Sequence, residues 1–327
     1  MWGRVPRLYF HVGGRLLPTW ATMGVLGAVV GALTFVALAR GAHVPLWIAL
    51  CTVPVNVIGF FGWTALRRGW RGRTSYVLLE HVLVAAGMTV ATAAITGVGC
   101  AALLDPWVVA LALALGLGRI GCLLSGCCHG KPAARGVRYR WRVPWLLGPG
   151  WHAIWLYPIQ AVEVAALVAL AALGAAVLGC AGMAAAAVAS GYAVVRFELE
   201  LWRGDERRYI GPLSHNQWSC LALALLVAAI EARISAVALA TIAALAIVQR
   251  RRLVPPAIVV TSETQMCALA AAVVAAGAGQ CMRVAGVLLV PDGSGGVRAS
   301  GAWGPLRPSE LDVVAVATTT VRTGSAS

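Results

Sequence analysis

Tyr192, Arg196, Glu200 and Arg203 follow one another at intervals of four, four and three residues, the first three within a mostly apolar stretch. On a helix that spacing brings all four near one face. A guanidinium and a carboxylate in apolar surroundings are costly unless they pair or have a task. Two readings fit: an ion pair that locks two helices together, or charged groups placed there for a functional task. Arg119 is a second such position. It lies in the run Gly118-Arg119-Ile120-Gly121-Cys122-Leu123-Leu124-Ser125-Gly126-Cys127-Cys128-His129-Gly130-Lys131. Gly118, Gly121, Gly126 and Gly130 let backbone and ligand approach closely. An arginine held among them suits a phosphate group, and it also suits an ordinary interfacial helix end.

Two further groups are weaker on their own. Gln160 and Glu163, after Pro158, are i,i+3 neighbours on one helix face, and Ser214 and Gln217, with Trp218, open another apolar run. Cys122, Cys127, Cys128 and His129 carry N and S ligands of the kind zinc takes. Their spacing lacks a C-x-x-C, so a thiol–disulfide role or a loop shaped by small residues fits as well, and no metal or other cofactor is assigned. Of the nine cysteines, Cys51, Cys100, Cys180 and Cys220 fall within or at the ends of apolar runs, as small hydrophobes do. His129 and His152 read as interfacial.

Such residues need a scaffold at membrane depth, and the composition supplies one. The 327 residues are 60% hydrophobic and 12% charged, whereas soluble domains are about 45–50% apolar and about 25% charged. A spanning helix needs roughly 20 mostly apolar residues. Runs at about 20–38, 45–66, 76–98, 101–118, 158–178, 181–201 and 217–230 read as seven spans. A further run at 234–248 reads as an eighth short span, a continuation or an interfacial helix. The expected fold is an all-α integral membrane protein, a polytopic bundle of about seven transmembrane helices, or eight if the last run also spans. Asp105 and Pro106 mark the turn between the third and fourth spans. The first span, with Arg4, Arg7 and Arg15 before it, reads as an uncleaved helix rather than a signal peptide.

Between Arg119 and Pro158 the sequence turns polar and aromatic. It reads as an extramembrane segment lying on the bilayer, with Trp141, Trp145, Trp151 and Trp155 suited to the interface. The expected division is a membrane domain at 1–252 and an extramembrane tail at 253–327. The tail reads as a small α/β or partly disordered appendage: strands at 257–261, 282–290 and 312–321, a helix at 263–276, and turns at 291–296 and 301–308.

Four of these pieces, taken in order, resemble the bacterial prolipoprotein diacylglyceryl transferase family. They are Gly-Arg-Ile-Gly at 118–121 with Gly126 and Gly130; Pro158-x-Gln160-x-x-Glu163; Arg196-Phe197-x-x-Glu200-x-x-Arg203-x-Asp205; and Leu213-Ser214-x-x-Gln217. The resemblance covers roughly 119–217. It implies a multi-pass enzyme of the bacterial inner membrane that moves a diacylglyceryl group from phosphatidylglycerol to the lipobox cysteine of a prolipoprotein signal-peptide substrate, releasing glycerol phosphate. By the same resemblance Arg119 would hold the phosphate, Arg196 would stabilise the leaving group and Glu200 would orient Arg196. Tyr192, Gln160 and Glu163 would shape the headgroup pocket, with Gly118, Gly121, Cys122, Gly126, Gly130, Arg203, Ser214 and Gln217 completing it. The sequence departs from the family pattern in three places. Cys122 stands where the family has Asn, and Cys127 where it has Glu. Leu79 stands where the family's third-span His is expected, with His81 two positions away, about 200° around a helix.

The formal charge is +14, and Lys131 is the lone lysine among 26 basic residues. The arginines lie in short loops between spans, which points to anionic lipid headgroups and away from nucleic acid. By charge alone the arginine-rich loops would face the cytoplasm, whereas the resemblance places them outside, because its substrates are exported. Charged groups gathered near one face argue against a transporter, which would place them along a path across the midplane. The alternative to the transferase is a non-catalytic phospholipid-binding membrane protein derived from the same family.

Overall fold

The computed structural model describes residues 8–71, 78–130, 132–139, 155–204, 209–211, 213–228, 231–253, 263–278, 282–284, 287–291 and 297–301. Lys131, Trp141, Arg142, Trp145, Trp151, His152, Asp205, Arg207, Arg208 and the strands expected at 257–261 and 312–321 lie outside them.

The chain opens with a hairpin, β1 (Tyr9–Val12) and β2 (Arg15–Pro18), paired antiparallel. Gly13 and Gly14 form its two-residue turn at φ 53° and 75°, a conformation that suits a hairpin's twist and is open to glycine. This stretch reads as a polar leader from sequence, because the strands are only four residues long. Eight helices follow: α1 (Thr19–Gly41), α2 (Leu46–Arg71), α3 (Leu78–Thr96), α4 (Cys100–Ser125), α5 (Ile159–Ala176), α6 (Met183–Leu199), α7 (His215–Ala228) and α8 (Ala232–Leu253). Four of them, α1, α2, α4 and α5, are long and apolar enough to cross a membrane, and α3 and α8 contain shorter apolar stretches. Many large apolar side chains face outward, among them Leu33, Ile58, Val237 and Ile95. An outward apolar surface of that extent fits a lipid surround.

Helix α4 is central, packed against α1, α3, α5 and α6. Gly27 and Gly31 of α1 meet the backbone and Cβ of Ala114 on α4, and a Cβ on Gly27 would lie 2.5 Å from the Ala114 carbonyl oxygen. Small residues of this kind let two membrane helices approach closely. Gly121 does the same lower down, against Trp20 and Met23.

Two sequence expectations change here. The fourth span does not end at 118: α4 runs to Ser125, where Gly126 at φ 91° caps it and donates to the Cys122 carbonyl at 2.9 Å. Gly118 and Gly121 do not break the helix, and at Gly121 it packs closely against Trp20 and Met23 of α1. Arg119 and Cys122 are therefore helical residues. Asp105 marks no turn. It is buried inside α4 and accepts hydrogen bonds from the Gly182 N–H at 2.7 Å and the Ala185 N–H at 2.8 Å. A carboxylate on one helix thus satisfies the orphan donors and positive end of another, α6.

Short strands lie between the helices: β3 (Pro132–Arg138) with β4 (Trp155–Leu156), and β5 (Tyr209–Ile210) with β6 (Leu213–Ser214). Beyond α8, α9 (Glu263–Gly277) packs on an antiparallel sheet of β7 (Met282–Val284), β8 (Val287–Pro291) and β9 (Val297–Gly301). The single strand expected at 282–290 is thus two paired strands.

Candidate functional site

The last two turns of α4, the first turn of α5, the end of α6 and the start of α7 converge. Arg119 projects from α4, and its Nε lies 2.9 Å from Glu163 Oε2 on α5. Tyr192 on α6 donates its hydroxyl to the other Glu163 oxygen at 3.0 Å. Glu163 is 1% exposed, so one carboxylate ties three helices together where water cannot compete. One turn earlier, Gln160 donates to the Cys127 carbonyl at 2.9 Å and holds the chain just past α4.

On α6, Arg196 Nη2 pairs with Glu200 Oε2 at 2.9 Å, as the i,i+4 spacing leads one to expect. Glu200 sits in a short 3-10 turn (Glu200–Trp202) and accepts from Ser214 Oγ at 3.1 Å and from Asn216 Nδ2. Ser214 and Gln217 cap α7 reciprocally: the Ser214 N–H donates to Gln217 Oε1 at 2.9 Å, and the Gln217 N–H to Ser214 Oγ at 3.2 Å. Gln217 also donates to the Phe197 carbonyl at 3.4 Å. These two residues act as a brace under Glu200. Arg196 Nη1 is buried and has no hydrogen-bond partner among the described residues.

A cavity of about 380 Å³ opens beside these groups. Arg119, Tyr192, Arg196, Arg203, Cys128, Asn216 and Ser219 supply its polar wall, and mostly leucines, valines and alanines of α3 to α7 line the remainder, with Trp107 and Cys220. Leu83 on α3 and Leu226 on α7 line it and are also exposed to the surroundings. The volume and the mix of a large apolar wall with a few convergent polar groups suit an amphiphilic ligand.

The expected site residues divide into two sets. Arg119, Tyr192, Arg196 and Arg203 line the cavity. Gln160, Glu163, Glu200, Ser214 and Gln217 lie behind it and hold the first set or the backbone. Gly121 serves helix packing, Gly126 caps α4 against the Tyr139 ring, and Gly130 lets its backbone press against Tyr157 and bridge to Arg203. Around Gly118 there is open space. Asn216 was missed from sequence, although it lies between two residues singled out there. A polar side chain one position before Gln217, at the start of an apolar helix, was the available signal.

Cys122, Cys127 and Cys128 come together with their sulfurs all within 4.8 Å of one another, and none is in a disulfide. Hydrogen bonds from the Cys122 and Cys127 thiols, helped by the fields of Arg203 and Arg119 and opposed by burial, hold the Cys128 thiol well below the ordinary thiol range. His81 lies elsewhere. It is buried between α2 and α3, 3.0 Å from Thr64 Oγ1 and with its ring tilted against that of Phe60, next to the Arg67–Glu80 ion pair. It is not part of the cavity wall.

Residues 81–233 match the family model for prolipoprotein diacylglyceryl transferase. This part of the chain is similar to that family's domain. The match begins in α3 and ends at the start of α8, so it contains every residue of the cavity wall described above. Phosphatidylglycerol–prolipoprotein diacylglyceryl transferase 2 of Clostridium perfringens (strain 13 / Type A) is similar to this chain, 32% identical over 119 residues. That alignment covers 36% of this chain and 45% of the relative, so the chain spans under half of that protein's length.

Proposed function

We propose that the protein transfers a diacylglyceryl group from phosphatidylglycerol to the lipobox cysteine thiol of a prolipoprotein, or performs a closely related phospholipid-dependent transfer. The observation that carries this reading is the pair of largely buried arginines, Arg119 and Arg196, each held by its own carboxylate on the wall of one mostly apolar cavity. A phospholipid offers matching parts: two acyl chains for the apolar wall and a phosphodiester for two guanidiniums. Leu83 and Leu226 mark a side from which lipid would enter. The surrounding bundle would cross the bacterial inner membrane seven or eight times.

In this reading Arg119 binds the phosphate through the guanidinium nitrogens that Glu163 leaves available. Arg196 turns its unpartnered Nη1 toward the ester oxygen that will leave, and Glu200 fixes its orientation. The acceptor must react as a thiolate. Its sulfur forms a bond to the glyceryl carbon that carries the phosphate ester, and the carbon–oxygen bond breaks with its electrons passing to the phosphate. The products are the thioether and glycerol phosphate, with the thiol proton released to water or to the phosphate. Charge on the departing oxygen grows beside fixed cations, so stabilisation is greatest in the transition state.

The engagement of His81 with Thr64 and Phe60, away from the cavity, favours the second reading, a phospholipid-binding protein without transfer. The deciding experiment mixes purified protein with labelled phosphatidylglycerol and a lipobox peptide, with and without its Cys. Transfer predicts a Cys-dependent gain of diacylglyceryl mass with glycerol phosphate released. Saturable lipid binding without that gain would overturn it in favour of the second reading.

A further inference from the structure

We propose that Cys122, Cys127 and Cys128 form a three-thiolate site for a thiophilic divalent cation of the zinc class, whose fourth coordination position faces the cavity and takes the sulfur of the acceptor cysteine. The second half of this inference rests on the acceptor being a thiol, as in the function proposed above; the first half does not.

The site is made by the fold rather than by a spacing motif. Cys122 stands in the last turn of α4. Gly126, at φ 91°, ends the helix and reverses the chain, and Cys128 adopts φ 58°, a left-handed conformation uncommon for a residue with a side chain. Gln160 grips the carbonyl of Cys127 between them. The outcome is three sulfurs within 4.8 Å of one another with no disulfide among them. Three sulfurs bound to one zinc at about 2.3 Å each lie about 4 Å apart, so the trio needs to close by less than about 1 Å.

The ligand set and its surroundings select the ion. Thiolates favour zinc-like or other soft ions over magnesium or calcium. A divalent ion with three thiolates carries one net negative charge, and Arg203 and Arg119 lie close enough to act on Cys128 electrostatically. Three protein ligands leave one position open, the arrangement of zinc sites that act on a bound group rather than merely bracing a fold. Cys128 is on the cavity wall with Arg119 and Arg196, so the open position faces the place where the lipid phosphate would sit. A thiol that binds zinc there loses its proton, and the acceptor would arrive as the thiolate that the transfer requires.

The test uses the full-length protein in detergent, reduced, with its metal removed and Co²⁺ added as the probe. One equivalent should bind with thiolate-to-cobalt charge-transfer absorption and the visible bands of tetrahedral cobalt. Cys122→Ser, Cys127→Ser and Cys128→Ser should each abolish that absorption, while Cys51→Ser and Cys180→Ser keep it. A short cysteine peptide should shift the visible bands, and its serine counterpart should not. In the unmutated protein, Zn²⁺ should protect these three cysteines from alkylation, as read by peptide mapping, which needs no variant to fold. Absence of charge-transfer absorption, its survival in all three variants, or equal alkylation with and without Zn²⁺ would overturn the site. Bands indifferent to the cysteine peptide would overturn the acceptor role. Transfer in the lipid assay without a cobalt signal would defeat this inference alone. A cobalt signal with the peptide shift but no transfer would uphold the site and defeat the transferase.

Discussion

Arg119 Nε lies 2.9 Å from Glu163 Oε2, and Tyr192 donates to the other oxygen of the same carboxylate at 3.0 Å. A cation on α4 is thereby held by an anion on α5, which a hydroxyl on α6 holds in turn. Removing the anion strands a buried guanidinium. Glu163→Gln should cost about 3–5 kcal/mol of stability, the usual cost of breaking a buried pair, nearer the lower figure because Arg119 also reaches the cavity. Unfolding in detergent would measure it. Arg119→Ala should abolish lipid transfer while leaving membrane insertion intact, and full activity in that variant would sink the phosphate role.

Arg196 should be as necessary, for a different reason. Removing a preorganised donor from developing charge costs about 10²–10³-fold in rate, so Arg196→Ala should lower transfer by at least that much. Arg196→Lys should not restore it. An ammonium cannot both pair with Glu200 and present a second planar N–H to the cavity. Single-turnover transfer by the lysine variant at the parent rate would contradict this.

Asp105 offers a prediction about the scaffold alone. Its carboxylate accepts two backbone N–H groups at the start of α6. Asp105→Ala would leave buried donors unsatisfied, at about 1–3 kcal/mol, and Asp105→Asn should fall between. Thermal unfolding should order the three proteins that way, with transfer little changed at temperatures where all are folded. A melting temperature unmoved by Asp105→Ala would refute the cap.

Two glycines on the same helix should respond differently to a larger side chain. A Cβ on Gly27 meets the Ala114 carbonyl, whereas Gly24 has open space around it. Gly27→Leu should force α1 away from α4 and lower the melting temperature, and Gly24→Leu should leave it nearly unchanged. Equal effects would show that the α1–α4 contact does not depend on close approach.

Truncation after Leu253, the end of α8, should leave the membrane bundle folded and inserted. Among the described residues none from the tail lines the cavity, and α9 packs on its own sheet. Loss of insertion on truncation would show that the two parts fold as one.

The sequence by itself determined the helical, membrane character of the protein and the order of its apolar segments, because a run long enough to cross a bilayer is a local property of composition. It also determined the Arg196–Glu200 pair, since i,i+4 neighbours on one helix meet whatever else the chain does. The prolipoprotein diacylglyceryl transferase resemblance was legible for a related reason: four short motifs in one order survive in the primary structure. Which partner Arg119 takes, that Asp105 caps another helix, that Asn216 joins the cavity wall and that three cysteines without a metal-binding spacing share one point in space were decided by tertiary structure. Each depends on how α4 lies against α1, α5 and α6. That arrangement comes from small residues meeting across helices, and no local spacing records which distant residue a small side chain allows to approach.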